Sequence, residues 1–421
     1  MFIIYDLIFL LFILSYLPVY LFKKKFHPGF SLRLGVLPVG LKLNKPIWIH
    51  AVSVGEAMAV KKLVEQLRSA YPNKQLVIST VTPTGNKIAM DMAGKNDFVT
   101  FLPLDFGFIV KKVLDVLNPS LFIIAETEIW PNLITCLHKK KIPIIIVNGR
   151  ISDASFRGYL SIRFLLRNIF KKVTFFCTQT ERDANRFSSL GVKREKIKVT
   201  GNMKFDATPT NKDMRVTLDL KSKLGLQADV KIFVAASTHP KEEQIILSAY
   251  ARLLETFPGL CLIIAPRHPE RSKEVSKIIS RFQFCSRLIS CINEPFICAT
   301  KTVFVLDVIG QLNNFYSIAD IVFVGGSLVK KGGHNILEPA IFAKPILFGP
   351  HMFNFKDIAE LFLSNEAAVL VNNAEEMQNS ILNFLNHPLM GLEFGKCAQQ
   401  LLEKNKGAVT RNLEVIKNFI V

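Results

Sequence analysis

The residues best suited to chemistry lie in a glycine-rich turn in the second half of the chain. Phe323–Pro350, with the sequence FVGGSLVKKGGHNILEPAIFAKPILFGP, follows a short apolar run and leads into a helical pattern. Glycines such as Gly326 let backbone N–H groups approach an anion, and a helix N-terminus adds favourable partial charge. Ser327 lies in the same turn, and Asn335 and Glu338 stand where sugar or ribose hydroxyls could reach them. The pattern predicts a nucleotide or activated-sugar site, with an ordinary βα turn as the alternative.

Polar side chains also follow apolar runs in the first half of the chain. Glu56 ends the stretch HAVSVGE, Glu126 opens ETEIWP, and Arg150 follows IPIIIVNG. An acid at the carboxyl end of a strand can act as a general base. A carboxylate at the start of a helix can equally serve as a favourable N-terminal charge. Several polar groups converging on one sheet edge favour the first interpretation.

The second half contains two further turns of this kind. Ser237 and Thr238 follow the apolar run KIFVA, within ASTHP, and Arg267 follows LCLIIA, within APRHPER. Hydroxyls and a guanidinium suit an anion, and arginine can contact a phosphate through two hydrogen bonds. Each stretch alone could be a helix cap, but together with the glycine turn they predict a nucleotide pocket.

Strand and helix patterns alternate along the chain. The predicted helices lie between short apolar runs, for example at Glu56–Tyr71 and Phe108–Leu117. Near-continuous apolar strands with helical crossovers indicate parallel sheets covered on both faces. The predicted strands are Ile47–Val52, Gln75–Ser79, Val99–Leu102, Leu121–Ala125, Ile142–Val147 and Val173–Cys177, then Lys231–Ala235, Leu260–Ala265, Val303–Leu306, Ile321–Val324, Ile346–Phe348 and Ala367–Val371.

These patterns predict an α/β fold with two Rossmann-like domains facing a cleft. The first series of strands ends near Gly201–Asp206, and the polar stretch Ala207–Lys212 is typical of a linker. We predict a membrane anchor over 1–22, an N-terminal domain over 23–206 and a C-terminal domain over 207–421, whose last helix could pack on the first domain. In open α/β sheets, ligands bind beyond the carboxyl ends of the strands.

Composition restricts the class of partner. The chain has 421 residues, of which 49% are hydrophobic, so it can bury a sizeable core in two domains. Its formal net charge of +19 favours nucleic acid, a phosphorylated substrate or an acidic membrane surface. Its seven cysteines form no CxxC pair, which argues against a zinc site or a disulfide scaffold and suits a reducing compartment.

The first residues form a separate segment. Phe2–Phe22 is long and apolar enough for a membrane anchor, and the basic cluster Lys23–Lys25 follows it. The segment has neither the basic start nor the cleavage site of a signal peptide. Basic residues after the apolar run place the rest of the chain in the cytoplasm, on the inner membrane. Asp6 and Pro18 leave an interfacial helix open, and a buried core helix is the non-membrane alternative.

The motifs together resemble those of the Kdo (3-deoxy-D-manno-octulosonic acid) transferases, membrane-anchored glycosyltransferases of the GT-B fold. The resemblance runs from the N-terminal anchor to about Pro350, and the last seventy residues carry no recognisable motif. Departures from the family pattern are Gly149 in place of alanine, Gln311 in place of glutamate and Ile336 in place of proline. The matching stretches are HAVSVGE, TPTG, ETEIWPN, the Arg150 turn, GNMKFD, STHPKEE, APRHPER, ADIVFVGGSL and GGHNILEPA.

The resemblance implies transfer of Kdo from CMP-Kdo to a lipid A precursor (lipid IVA), with inversion and without a metal or other cofactor. It makes Glu56 the base that deprotonates the acceptor hydroxyl, with Glu126 and Arg150 on the acceptor side. It makes Lys204 the cation that neutralises departing charge. The residues assigned to the donor are Lys204, Ser237, Thr238, Arg267, Gly326, Ser327, Asn335 and Glu338.

Two alternative functions remain open from the residues. Another GT-B enzyme using a UDP-sugar in cell-envelope synthesis would share the glycine turn and the membrane association. A membrane-tethered nucleic-acid-binding protein would account for the charge, but it would require basic residues interleaved with surface aromatics. The phenylalanines fall mostly within the apolar runs, so we expect no nucleic-acid partner.

Overall fold

The structure is a computed structural model that describes residues 2–22, 29–207, 220–292 and 301–420. The side chains of residues 2–4 and 16–22 lie outside that description, as do Lys23–Lys25 and most of the predicted linker Ala207–Lys212. The chain divides into two compact units. The first combines Met1–Ala207 with Asn405–Val421, and the second is Thr208–Lys404.

The first unit is built on a seven-stranded parallel sheet of order β3-β2-β1-β4-β5-β6-β7. Its strands are β1 (Ile47–His50), β2 (Leu76–Thr80), β3 (Phe98–Phe101), β4 (Leu121–Ala125), β5 (Ile144–Gly149), β6 (Phe175–Thr178) and β7 (Ile197–Val199). Its helices are α1 (Phe2–Phe22), α2 (Phe30–Arg33), α3 (Val54–Ala70), α4 (Pro83–Met92), α5 (Gly107–Leu117), α6 (Pro131–Lys139), α7 (Asp153–Ser161), α8 (Arg163–Phe170), α9 (Glu181–Ser189) and the C-terminal α17 (Ala408–Lys417).

Both faces of this sheet are buried, which explains the near-continuous apolar strands. All five residues of β4 are buried. Phe122 and Ile124 belong to one core cluster, whereas Ile123 belongs to the cluster on the opposite face. Successive side chains of a strand point to opposite faces, so a strand covered on both sides must be apolar at every position.

The second unit repeats this plan with a seven-stranded parallel sheet of order β10-β11-β9-β8-β12-β13-β14. Its strands are β8 (Ile232–Thr238), β9 (Cys261–Pro266), β10 (Cys285–Leu288), β11 (Thr302–Val305), β12 (Ile321–Val324), β13 (Ile346–Phe348) and β14 (Val369–Leu370). Its helices are α10 (Glu242–Thr256), α11 (Ser272–Arg281), α12 (Leu312–Ile318), α13 (Leu337–Ile341), α14 (Lys356–Ser364), α15 (Ala374–Asn386) and α16 (Pro388–Asn405), the last ending at the unit boundary.

The predicted α/β class with two parallel-sheet domains is confirmed, but two strands were missed. β7 is three residues long and contains the charged Lys198. β10, with the sequence CSRL, is an edge strand whose side chains alternate between exposed and half-buried. Edge strands tolerate polar residues because one side of the ladder is unpaired. A search for continuous apolar runs therefore overlooks them.

The N-terminal helix α1 contacts the first unit through a polar residue. Asp6 Oδ1 accepts hydrogen bonds from the backbone N–H of Gly107 at 3.3 Å and from Asn132 Nδ2 at 2.5 Å. The ring of Phe9 lies 5.1 Å from that of Phe106. Among the residues that the structure describes, no helix is both long enough and apolar enough to cross a bilayer. Both ends of the predicted anchor have side chains outside that description.

The C-terminal helix α17 packs on the first unit. Asp206, at the end of the GNMKFD motif, accepts hydrogen bonds from the backbone N–H groups of Gly407 and Val409, each at 2.7 Å. Arg411 Nε donates to the carbonyl of Thr200 at 2.7 Å. A carboxylate at a helix N-terminus satisfies otherwise unpaired N–H groups and complements the helix dipole. Asp206 therefore joins the end of the chain to the motif that carries Lys204.

Substitution of Asp206 by alanine should lower the free energy of unfolding of the first unit by about 1–2 kcal/mol, the usual cost of losing a helix cap. Both tryptophans of the chain, Trp48 and Trp130, lie in the first unit, so urea denaturation followed by tryptophan fluorescence reports on it. Asp91→Ala, at an exposed position of α4, is the matched control. Equal stability of the two variants would contradict this role of Asp206.

Candidate active site

The first sheet reverses its winding direction between β1 and β4, which are neighbours in the sheet. Such a reversal leaves a crevice beyond the carboxyl ends of the strands, where ligands of open α/β sheets bind. Glu56 lies in the first turn of α3, shortly after β1, and Glu126 directly follows β4. The fold therefore places both predicted acids at the reversal.

Glu56 is fixed by hydrogen bonds to the turn before it. Its Oε2 accepts from the backbone N–H of Val52 at 2.6 Å, and its Oε1 accepts from Ser53 Oγ at 3.2 Å. Burial, followed by the charge of Glu126, raises the pKa of Glu56 to about 7. A carboxyl group with a pKa near neutrality is partly ionised at neutral pH and holds a transferred proton well. Glu56 is therefore suited to act as a general base.

Glu126 lies between two cations. Its Oε2 is 3.8 Å from Arg150 Nε, and its Oε1 is 3.6 Å from Lys204 Nζ. The backbone of Glu126 has a φ of 57°, an uncommon left-handed conformation at the end of β4. The structure thus brings together Glu56, Glu126, Arg150 and Lys204, which the sequence places far apart.

The position of Lys204 depends on buried Asn148, at the end of β5. Asn148 Oδ1 accepts a hydrogen bond from the backbone N–H of Met203 at 2.9 Å. Asn202 Oδ1 accepts from the N–H of Lys204 at 3.0 Å. These two amides hold the short 3₁₀ turn Met203–Phe205 at the edge of the sheet. The lysine is thereby directed toward Glu126.

A pocket of about 160 Å³ opens beside these residues. A cavity of roughly 150 Å³ holds a benzene ring, so this pocket matches one six-membered ring. Within the described parts of the chain, no group of three or more histidine, cysteine or carboxylate side chains is placed to hold a metal ion. The pocket is lined by Glu56, Glu126, Thr127, Glu128, Arg150, Ile151, Ser152, Ser155 and Tyr159.

The second sheet reverses its winding between β8 and β12. Ser237 and Thr238 end β8, and Gly326 and Ser327 follow β12, so these four predicted residues lie at the reversal. Ser237 has a φ of 54° and lies where the pairing of β8 with β9 is irregular, between Ala236 and Thr238. The two strand ends are in contact there, because the N–H of Gly325 donates to the carbonyl of Ala236 at 2.8 Å.

The glycine turn is already filled by a carboxylate of the protein. Glu242 Oε1 accepts from the N–H groups of Ser327 and Leu328 at 3.0 and 2.9 Å. Its Oε2 accepts from those of Gly326 and His239 at 2.7 and 2.9 Å. The expectation that these N–H groups cradle a phosphate is wrong for this structure, because the fully buried Glu242 takes the place of that anion. Proximity of Gly326 and Ser327 to a donor phosphate stays a prediction.

Two residues that were predicted to bind the donor substrate have hydroxyls that form hydrogen bonds within the protein. Thr238 Oγ1 donates to Glu243 Oε1 at 3.0 Å, and Arg271 binds the same oxygen at 2.8 Å. Ser327 Oγ donates to the carbonyl of Val324 at 2.5 Å and accepts from the N–H of Gly349 at 2.8 Å. Thr238 and Ser327 are fully buried. Their contacts fix the strand ends that shape the site.

Two histidines meet at the surface of this turn. His239 Nε2 lies 2.9 Å from His334 Nε2, and the rings are almost parallel, at 4°. One nitrogen must donate and the other accept, so at least one ring is neutral. Burial lowers the pKa of His239 to about 4 and that of His334 to about 3. At Gly326, where φ is +67°, a Cβ would lie 3.0 Å from the His334 ring.

Three more residues that were predicted to bind the donor substrate lie around His334: Arg267, Asn335 and Glu338. Asn335 Nδ2 donates to Glu338 Oε1 at 3.1 Å, and Asn335 Oδ1 accepts from the N–H of Leu337 at 3.1 Å. Burial raises the pKa of Glu338, and the charge of Arg267 opposes that shift. The same guanidinium contributes to the lowered pKa of His334. Arg267 is exposed, so its cation is available beside this cluster.

Four further residues belong to the candidate site but were not among the site residues predicted from the sequence: Glu128, His239, Glu242 and His334. The histidines stand in STHP and GGHN, directly after predicted strand ends or glycines, and that position was a usable signal. Glu242 gave no comparable signal, because a glutamate in the first turn of a helix is common. Its partners in the glycine turn lie 84–86 residues away in sequence.

We expect Glu242→Gln to destabilise the second unit by roughly 3 kcal/mol, because one amide NH₂ would face two buried N–H donors. Hydrogen–deuterium exchange, measured by mass spectrometry on peptides covering 321–350, should show faster exchange in the glycine turn. Glu255→Gln, at an exposed position of α10, is the matched control. Unchanged exchange in Glu242→Gln would show that the carboxylate does not hold the turn.

The chain is similar to known proteins over most of its length. Residues 29–207 match the family model described as 3-deoxy-D-manno-octulosonic-acid transferase (kdotransferase). The 3-deoxy-D-manno-octulosonic acid transferase of Haemophilus influenzae is 36% identical over 377 residues, which cover 89% of this chain and 87% of that protein.

Solved structures are similar as well. The C-terminal CMP-Kdo binding domain of WaaA from Acinetobacter baumannii is 31% identical and covers 45% of this chain and 99% of that domain, with a TM-score of 0.41. A putative UDP-N-acetylglucosamine 2-epimerase from Listeria monocytogenes is 12% identical, with a TM-score of 0.60, over 89% of this chain and 96% of that one. The second likeness concerns the fold alone. The extent and identity of the match to the Haemophilus protein show that the chain is a glycosyltransferase of the Kdo transferase family.

Proposed function

We propose that this chain transfers Kdo from CMP-Kdo to a lipid A precursor such as lipid IVA, with inversion and without a metal ion. Family membership supports Kdo transfer in lipopolysaccharide biosynthesis. The observation that carries the proposed mechanism is the half-buried carboxyl of Glu56 at the β1/β4 reversal, whose pKa is raised to about 7 by burial and by the charge of Glu126.

In this mechanism, Glu56 takes the proton of the acceptor hydroxyl. The oxygen then bonds to the anomeric carbon of Kdo, while the bond from that carbon to the CMP phosphate oxygen breaks. The electron pair of that bond leaves with the phosphate, so negative charge develops there, and the sugar acquires oxocarbenium character. Fixed cations near the departing phosphate stabilise the transition state more than the ground state.

The charges of the second unit support an anionic donor. Burial is the main cause of the lowered pKa of His239, and the positive charges of Lys331, Arg271 and Arg267 add to the shift, so these cations lie near the ring. The neutral His239–His334 pair can donate or accept a hydrogen bond without adding charge. Such a cationic surface suits the phosphate of a nucleotide-activated sugar and the carboxylate of Kdo.

The N-terminal helix supports action at the cytoplasmic face of the inner membrane. Leu7, Ile8, Leu11, Phe12 and Leu14 are each more than half exposed on α1. Exposed apolar side chains in such number suit contact with lipid, where an acceptor of the lipid A type resides. The positive charge of the whole chain would favour the same anionic surface.

The donor is tested directly by a transfer assay. Tetraacyl lipid A precursor is incubated with the protein and CMP-Kdo generated in situ, with UDP-sugars in parallel reactions, and products are resolved by mass. A mass increase of one or more Kdo units is the expected result and also counts the additions. Turnover with a UDP-sugar alone would overturn the proposed donor and favour a different envelope glycosyltransferase.

Replacement of the base should affect chemistry rather than donor binding. Glu56→Gln keeps the size of the side chain but cannot accept the proton, so kcat should fall by about 10²–10⁴-fold. Binding of CMP-Kdo, measured without acceptor, should be unchanged. Glu65→Gln, at an exposed position of the same helix, is the control and should retain full activity. Near wild-type transfer by Glu56→Gln would exclude it as the base.

A further inference from the structure

Glu128 is the third carboxylate of the first-unit pocket. It lies three residues after the end of β4, is half-buried and lines the pocket with Glu56 and Glu126. Burial raises the pKa of Glu128 to about 6, and the charge of Glu126 adds to the shift. Glu128 in turn raises the pKa of Glu56 and that of Tyr159, which lines the same pocket. The three acids therefore face one space.

Glu128 differs from the other two acids in its partners. Glu56 accepts hydrogen bonds from Val52 and Ser53, and Glu126 lies between Arg150 and Lys204. Across the described ranges, the carboxylate of Glu128 has neither a hydrogen bond nor an ion pair from the protein. Partial desolvation of a carboxylate without such compensation is unfavourable. Glu128 lines the pocket, so a ligand bound there can supply hydrogen-bond donors to this carboxylate.

The surroundings of Glu128 indicate the chemistry of that ligand. Ser152 and Ser155 stand at the start of α7, and their hydroxyls are 2.9 Å apart. Arg150 lines the pocket and is directed to Glu126, as is Lys204. A phosphate or carboxylate beside Glu128 would face Glu56 and Glu128 together, and like charges repel at such distances. A neutral group with hydroxyl donors avoids that cost.

We propose that Glu128 binds a second hydroxyl of the acceptor sugar and thereby determines which hydroxyl is presented to Glu56. The pocket holds about one six-membered ring, so a single sugar could reach both carboxylates. Glu128 thus acts as an acceptor-binding and specificity-determining residue, not as the base. This inference rests on the proposed function, since it assumes a hydroxylated sugar acceptor in the first unit.

The test compares Glu128→Ala, Glu128→Gln and wild type in steady-state transfer from CMP-Kdo to the tetraacyl lipid A precursor. Loss of a hydrogen bond to a charged group should raise the acceptor KM about tenfold or more in Glu128→Ala. The donor KM should stay unchanged, and kcat should fall less than the acceptor KM rises. Glu65→Ala, exposed on α3, is the matched control for removing a carboxylate from this unit.

The pH dependence of kcat/KM distinguishes the proposed role of Glu128 from a purely structural one. The charge of Glu128 raises the pKa of Glu56, so Glu128→Gln should lower that pKa. A base must be ionised to act, and the acid limb of kcat/KM should therefore shift to lower pH in Glu128→Gln. The glutamine variant preserves side-chain shape, so it remains informative if the alanine variant folds poorly.

The outcomes separate this inference from the proposed function. If wild type transfers Kdo and both Glu128 variants keep the wild-type acceptor KM and acid limb, the inference is overturned while the function stands. A loss of kcat as large as that of Glu56→Gln, at unchanged acceptor KM, would overturn it by making Glu128 the base. If wild type transfers no Kdo to the lipid acceptor, the proposed function fails, and this inference fails with it.

Discussion

The reversal of winding in each parallel sheet is the constraint on which the candidate site depends. Parallel strands all end at one edge, and crossover helices cover both faces, so the edge beside a reversal is the place left open. In the first sheet the reversal lies between β1 and β4, and in the second between β8 and β12. Glu56, Glu126, Ser237 and Gly326 follow or end these strands, although they are widely separated in sequence.

The two reversals differ in their titratable groups. In the first, Glu56 and Glu128 have raised pKa values because both are partly desolvated beside Glu126. In the second, burial lowers the pKa values of His239 and His334, and the charge of Arg267 adds to both shifts. Acid groups of raised pKa suit removal of a proton, and a cationic surface suits an anionic leaving group.

Carboxylates that accept backbone N–H groups also hold distant segments of each unit together. Glu242 receives four backbone N–H groups from two turns, so a single side chain ties the start of α10 to the turn after β12. Asp206 plays a comparable part in the first unit by capping α17. Burial raises the pKa of Glu242, and its four N–H donors oppose that shift. These two acids serve the fold, whereas the acids at the pocket have fewer internal donors.

Much of the fold could be predicted from the sequence, because strands buried on both faces are continuously apolar. β4, β12 and β13 have the predicted boundaries. The short β7 and the polar edge strand β10 carry no such signal. The positions of Glu56 and Glu126 at a sheet edge also followed from local pattern. Contacts between distant parts of the chain could not be predicted from local pattern, since His239 and His334 are 95 residues apart and meet only after the sheet forms.

The N–H groups of the glycine turn have a binding partner that its local sequence did not predict. A strand, a glycine pair and a helix start predicted free N–H groups for a phosphate, and local sequence supports that prediction. The structure instead directs three of those N–H groups to Glu242, from a different βα unit. A local sequence pattern predicts which N–H groups a turn presents, but it does not predict which hydrogen-bond acceptor binds them.

The central claim is that burial and neighbouring acids keep Glu56 able to accept a proton near neutral pH. It is tested most directly by infrared difference spectroscopy of the free protein, titrated from pH 4 to 9, with Glu56→Gln subtracted from wild type. We predict a carboxyl band that titrates with a pKa of about 7 and is missing from the variant. Titration near the ordinary glutamate value of 4.5 would contradict this account of the site.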